Sequence, residues 1–232
     1  MKRIRFDYLF GALLVNHIQV WFMALAAASQ AIPYASFIIV IGLMQAIFVL
    51  WFLDRQRGRF ITDPPLNYQT LSQAQRKRTT FWADFKRGAI IGFGLYVVIV
   101  ATQLLMPASF QTDPNQMSDT LTILNTSNMM VLGINLVQTS IMEEIIFREL
   151  LPKSIKTKKT WSTLLCYLVA GLLFMGLHDL STPESLYIYT ILTLTFTVVR
   201  LGFHSLTVSA GTHIMYNLTT FLIFALANLQ IL

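Results

Sequence analysis

Long apolar blocks alternate with short polar gaps along this chain, and that alternation restricts the folds open to it. Seven blocks can be marked, at about 8–29, 33–53, 88–107, 129–151, 161–178, 185–200 and 206–229. Most reach the roughly 20 residues that a helix needs to cross the hydrocarbon core of a bilayer. Lipid offers no water to backbone amides, so such a segment satisfies them internally as an α-helix. Only 12% of residues are charged and 55% are hydrophobic, whereas soluble domains carry about 25% charge. The expected fold is therefore all-α: a polytopic transmembrane helical bundle of about seven spans, with 1–232 a single integral-membrane domain. A soluble helical protein does not fit this pattern. The single cysteine, Cys166, lies inside an apolar block and leaves no intrachain disulfide.

The charges are sorted between the gaps. Lys2, Arg3 and Arg5 precede the first block, eight basic residues fill 54–87, and Lys153, Lys156, Lys158 and Lys159 follow the fourth block. The intervening gaps, 108–128 and 179–184, hold Asp113, Asp119, Asp179 and Glu184 and no basic residue. Basic residues favour the cytoplasmic side. This places the N-terminus in the cytoplasm of a plasma membrane, or of the endoplasmic reticulum if the chain is eukaryotic. The first block follows a basic start, like a signal peptide, but its length and its Asn16, His17 and Gln19 read as a retained helix. From Leu71 to Arg87 basic residues interleave with Phe81, Trp82 and Phe85. That mixture suits a helix in the head-group layer, with Arg76–Arg87 on anionic lipid; a solvated loop is the alternative. The +6 charge thus reflects loop placement, and no nucleic-acid partner is expected.

Against this background the fourth block stands out. It carries Glu143, Glu144 and Arg148 within an apolar run. Each ionisable group at membrane depth costs about 3 kcal/mol on insertion scales, so such groups mark functional sites and pair with one another. Glu144 and Arg148 are four apart and share a helical face. Glu143 points about 100° away and is left for other work. Two further polar clusters follow. Phe174 and His178 share a face near the end of the fifth block, and His213 and Asn217 share one within the seventh. Gly171, Gly176 and Gly211 would allow close helix approach at these levels.

If the three blocks converge, Glu143 with His178 can activate a water, and His213 with Asn217 can donate to an oxyanion. These are the roles peptide hydrolysis needs without a serine or cysteine nucleophile. A metal site is the competing account: Glu143, His178 and His213 could ligate Zn2+. The His-Glu-x-x-His signature is missing, so no cofactor is favoured. Depth is a constraint on either account. Glu143 lies about 12–20 Å from the basic end of its helix and His178 about 26 Å along its own, so the fifth helix must start lower or tilt.

The three clusters, in this order, resemble the CAAX-protease and bacteriocin-processing (Abi) family of intramembrane proteases, whose pattern is Glu-Glu-x-x-x-Arg, Phe-x-x-x-His and His-x-x-x-Asn. They stand here as Glu143-Glu144-Ile-Ile-Phe-Arg148, Phe174-Met-Gly-Leu-His178 and His213-Ile-Met-Tyr-Asn217. The resemblance implies a protease-like core at 129–229, behind N-terminal spans at 1–107 that enclose the basic loop 54–87. It implies catalysis by Glu143, His178, His213 and Asn217, with Glu144, Arg148 and Phe174 in support. The substrate would be a membrane-tethered peptide or protein, either a prenylated CAAX tail or, in bacteria, a peptide of bacteriocin maturation or self-immunity. One departure is visible: many members have glycine after the motif arginine, and here it is Glu149. Two other readings use the same residues, an ion- or proton-coupled transporter and a non-catalytic immunity or scaffold protein.

Overall fold

A computed structural model describes residues 32–55, 81–107, 126–154, 160–178 and 180–228, together with 10, 11 and 14. Helix α1 spans Ile32–Arg55, α2 Phe81–Gln103 and α3 Thr126–Glu144. A π-helical segment, Ile145–Leu150, continues α3 directly and leads into the short α4, Leu151–Ser154. Helices α5 (Thr160–Gly176), α6 (Pro183–Phe203) and α7 (Leu206–Asn228) complete the described residues. The described residues form an all-helical bundle, with each described helix within a few residues of an expected block except at the start of α2. Three helices are long and apolar enough to cross a membrane, Phe81–Gln103, Pro183–Phe203 and Leu206–Ala227. Val40–Trp51 and Trp161–Gly176 are shorter apolar stretches. The first expected span lies outside the described residues except at Phe10, Gly11 and Leu14.

The distribution of polarity is that of a protein solvated by lipid. Leu164, Leu168, Leu172 and Leu173 of α5 and Ile90, Phe93 and Val97 of α2 are exposed. Gln138, Ser140, Thr193, Thr207 and Thr212 are buried. With lipid outside, apolar burial does not drive helix association, and close packing with interior hydrogen bonds does.

Helices α2 and α7 make the tightest pair. A Cβ at Gly88 would run into the Val208 carbonyl oxygen, and one at Gly92 into that of Thr212. Gly211 returns the favour against the Phe85 carbonyl oxygen at 2.8 Å. Gly88 and Gly92 are thus a small-xxx-small pair that the sequence reading passed over. Gly171 packs on the Thr193 methyl, as expected of a contact glycine, but Gly176 has open space around it, so it brings no backbone closer.

The α2–α7 pair is also pinned by polar groups. Ser205 Oγ donates to Asp84 Oδ2 at 2.7 Å and accepts from the Val208 amide at 3.2 Å. The other end of α2 is tied to α6 instead: the Thr102 and Tyr187 hydroxyls meet at 2.6 Å, and Gln103 donates to Glu184. Helix α6 is longer than its apolar block because its ends are well made. Thr182 caps it in a box with Ser185, Pro183 opens it, and His204 closes it in the left-handed region at φ 50°.

The start of α2 bears on the last part of the lipid-layer helix expected over 71–87, since residues 71–80 lie outside the described residues. From Phe81 onward the chain is already the first two turns of α2, continuous with the span. Trp82, Lys86 and Arg87 are exposed, while Asp84 is buried against Ser205. Glycines 88 and 92 hold these turns on α7, which is why they run with the span and not along its surface.

Candidate active site

The site is built on two antiparallel helices that each carry a polar row at four-residue spacing. On α3 the row is Ser140, Glu144 and, through the π segment, Arg148; on α7 it is Asn217, His213 and Ser209. The rows pair rung by rung. Asn217 Nδ2 donates to Ser140 Oγ at 2.9 Å. His213 Nδ1 lies 3.1 Å from Glu144 Oε1. Ser209 donates to the other oxygen of Glu144. The Asn217–Ser140 and His213–Glu144 rungs are about 6 Å apart, and Ser209 and Arg148 both turn to Glu144.

Glu144 is the hub of this ladder. Its side chain is fully buried, and Arg148 Nη1 stands 3.7 Å from it. The Arg148 guanidinium lies 4.3 Å from the centre of the Phe174 ring and 5.4 Å from that of Phe196. The expected pairing of Glu144 with Arg148 is therefore present, and Glu144 holds His213 as well.

Glu143 differs from its neighbour in access. Its side chain keeps 17% of its surface open, against 0% for Glu144, and Glu143 Oε2 faces His213 Nε2 at 3.6 Å. The imidazole of His213 thus spans both acids. Phe196 stacks on it at 4.3 Å and 25° between planes.

His178 approaches from the far side of Phe174. The two rings lie 4.7 Å apart, and Phe174 also faces His213 at 5.9 Å. Tyr189 of α6 covers the other side of His178 at 4.2 Å. His178 Nδ1 is 2.8 Å from the Phe174 carbonyl oxygen. A carbonyl only accepts, so Nδ1 carries the hydrogen and a neutral ring turns the Nε2 lone pair outward. His178 is within electrostatic reach of Glu143.

The structure therefore gathers Glu143, Glu144, Arg148, Phe174, His178 and His213 around one ring cluster. Asn217 is one turn further along α7, on the Ser140 rung. Four supporting residues were missed by sequence reading: Ser140, Ser209, Tyr189 and Phe196. Two of these carried a signal, since Ser140 precedes Glu144 by four residues and Ser209 precedes His213 by four. Tyr189 and Phe196 are on a separate helix, and no spacing rule links them to the motifs. Among the described residues, no three or more of His, Cys, Asp and Glu are arranged to hold a metal ion.

Residues 125–219 match the family model described as type II CAAX prenyl endopeptidase, Rce1-like. Over that segment the chain is similar to Rce1-like domains. The segment takes in α3 through most of α7 and so contains every residue of the ladder. Residues 1–124, with α1 and α2, lie outside the matched segment. Neither the curated proteins nor the solved structures yield a match to the chain. The family it resembles is one of membrane endopeptidases, and the apolar helices are those of an integral membrane protein.

Proposed function

We propose that this protein is an intramembrane endopeptidase that hydrolyses a peptide bond of a membrane-tethered peptide or protein through a water activated by Glu143. One observation carries the reading: of two adjacent acids, Glu144 is closed off and committed to Arg148, Ser209 and His213, while Glu143 remains open beside His213. A water on Glu143 gives a proton to the carboxylate, helped by the Nε2 lone pair of His178, and its oxygen attacks the scissile carbonyl. The carbonyl π pair moves onto oxygen, which accepts hydrogen bonds from the free Asn217 N–H and from His213. For Nε2 of His213 to donate while Nδ1 is bonded to Glu144, both nitrogens must carry hydrogen, so the donor is the imidazolium with Glu144 as its counter-charge. The tetrahedral adduct collapses, and the proton held by Glu143 passes to the leaving amine.

The scheme is written without a metal, on the ground that the His-Glu-x-x-His zinc signature is missing from the sequence. The substrate class follows the family, a CAAX-type tail that is prenylated in eukaryotes; a bacterial chain would instead take a peptide of bacteriocin processing or self-immunity. Exposed Lys86 and Arg87 beside Trp82 suit anionic head groups, consistent with a cytoplasmic N-terminus in the plasma membrane.

The test is cleavage by the purified protein, in liposomes, of membrane-tethered reporter peptides with and without a prenyl group, with products sized by mass spectrometry. Cleavage should be lost in Glu143→Gln. An intact reporter in every format removes the endopeptidase reading. Cleavage that vanishes on exhaustive chelation and returns with zinc removes the metal-free mechanism.

A further inference from the structure

Glu149 is the residue by which this chain departs from the glycine that many similar proteins carry, and the scheme above gives it no task. It is 4% exposed. It does not point into lipid but makes a second buried ion pair: Arg200 Nη2 of α6 donates to its Oε2 at 2.7 Å, and Lys153 donates to its Oε1. The pair costs several kcal/mol of desolvation per ion before any return, so it is weak evidence for stability as such. Its placement says more.

Glu149 lies inside the π-helical segment that begins at Ile145, immediately after the two acids. Continued as an α-helix, residue 149 would stand about 140° round from residue 144. The wider turn, seen in the Leu151 amide bonding to the Ile146 carbonyl oxygen, brings i+5 back under i. Glu149 is thereby turned inward, toward α6. There Arg200 is four residues after Phe196, on the same face. Phe196 is the ring stacked on His213, and its carbonyl oxygen lies 3.3 Å from Ser209 Oγ. One face of α6 thus grips the acid-bearing helix through Arg200 and the imidazole through Phe196.

We infer that Glu149 and Arg200 are a positioning pair that locks the π segment to α6 and so sets Glu143 and Glu144 against His213. The inference rests on the endopeptidase reading for its effect on rate, and not for its effect on the helix. Neither residue touches the reacting atoms.

The decisive variant is Glu149→Met/Arg200→Met in the full chain. It removes both charges at similar volume, a replacement that is often neutral for stability, and Lys153 can extend its amine to the interface. Amide hydrogen exchange should then rise about tenfold or more in peptides covering 141–151, with α2 and α7 within about twofold of wild type. In the reporter assay kcat should fall about tenfold or more with KM within about twofold, as expected of misplacement on the ångström scale. Arg200→Lys, which keeps the charge, should restore most of the exchange protection and rate relative to Arg200→Met. Unchanged exchange over 141–151 in the double variant overturns the inference. So does a wild-type kcat in the double variant when the wild type itself cleaves. A wild type that cleaves nothing removes the endopeptidase reading alone, because the exchange result still decides whether the pair holds the segment.

Discussion

Glutamine placed at 143 and at 144, one at a time, should separate catalysis from folding, although the two positions are adjacent and the chemical change is the same. Glu144→Gln cancels a charge that is fully buried and faces Arg148, itself 1% exposed, at 3.7 Å. The arginine then remains in the interior without its counter-charge. Breaking a buried pair from one side costs about 3–5 kcal/mol, a large share of the roughly 5–15 kcal/mol that a domain has in total. The bond from Ser209 loses its charge assistance as well. Glu143→Gln alters a side chain that is 17% open and 3.6 Å from an imidazole nitrogen. Glutamine keeps the shape of the side chain and leaves no buried guanidinium without a counter-charge, so the loss of stability should be smaller, about 1 kcal/mol. The rate, however, should fall by about 10²–10⁴, the usual contribution of a positioned general base. The assay is unfolding in mixed micelles by denaturing detergent, followed by circular dichroism, in parallel with cleavage of a tethered reporter. Equal stability loss in the two variants, or a Glu144→Gln protein as stable as wild type, would refute the division of labour between the acids. Cleavage at the wild-type rate by Glu143→Gln would refute the mechanism.

Asn217→Ala should lower kcat by about 10²–10³ with little change in KM, the loss seen when one oxyanion donor is removed; wild-type kcat would take Asn217 out of the chemistry. Ser209→Ala should cost about 1.5–3 kcal/mol, the range for a hydrogen bond to a charged group. It should also lower kcat, since Glu144 then has only Arg148 to orient it toward His213. Gly92→Ala pushes a methyl group into the Thr212 carbonyl oxygen and should destabilise by about 1–3 kcal/mol, read from the same detergent titration; unaltered stability would mean that α2 and α7 pack elsewhere.

The bundle was legible because lipid makes spanning helices self-contained, so length and apolarity mark them without knowledge of their neighbours. The bounds fail where that logic fails. Block 88–107 missed the first two turns of α2, because Asp84, Lys86 and Arg87 look like a loop in sequence. Asp84 is met by Ser205, in the turn before α7, and by Arg87 at 3.5 Å. The motif residues were legible for the same reason as the bundle: a charge at membrane depth is costly and needs partners. The identity of those partners was not. His213 reads as a donor to substrate, yet half of its hydrogen-bonding capacity is spent on Glu144. Glu149 reads as an oddity of local packing, because its partner Arg200 is 51 residues away on a separate helix. The π turn that aims it has no signature in composition or spacing.

The mismatch in depth between Glu143 and His178 is resolved by register. Helix α4 ends at Ser154 and α5 starts at Thr160, so a flush hairpin would carry His178 about 10 Å past Glu143 at 1.5 Å per residue. The rings exclude a flush start. Phe174 lies 5.6 Å from Phe147, edge to face, with the Arg148 guanidinium over it. Once 174 is opposite 147 in antiparallel helices, four residues on from Phe174, just past the end of α5, and four residues back on α3 bring 178 to the level of 143. The stagger is set by the ring contacts and not by the connection, which at five residues can reach up to about 17 Å. Inserting one or two glycines between Lys156 and Lys159 should therefore leave cleavage within about twofold of wild type. Deleting Met175 should abolish it, because His178 would rotate by about 100° and draw back by about 1.5 Å while Phe174 stays in place. Loss of activity on insertion, or survival on deletion, would show that the connection and not the Phe147–Phe174 contact sets the level of the histidine.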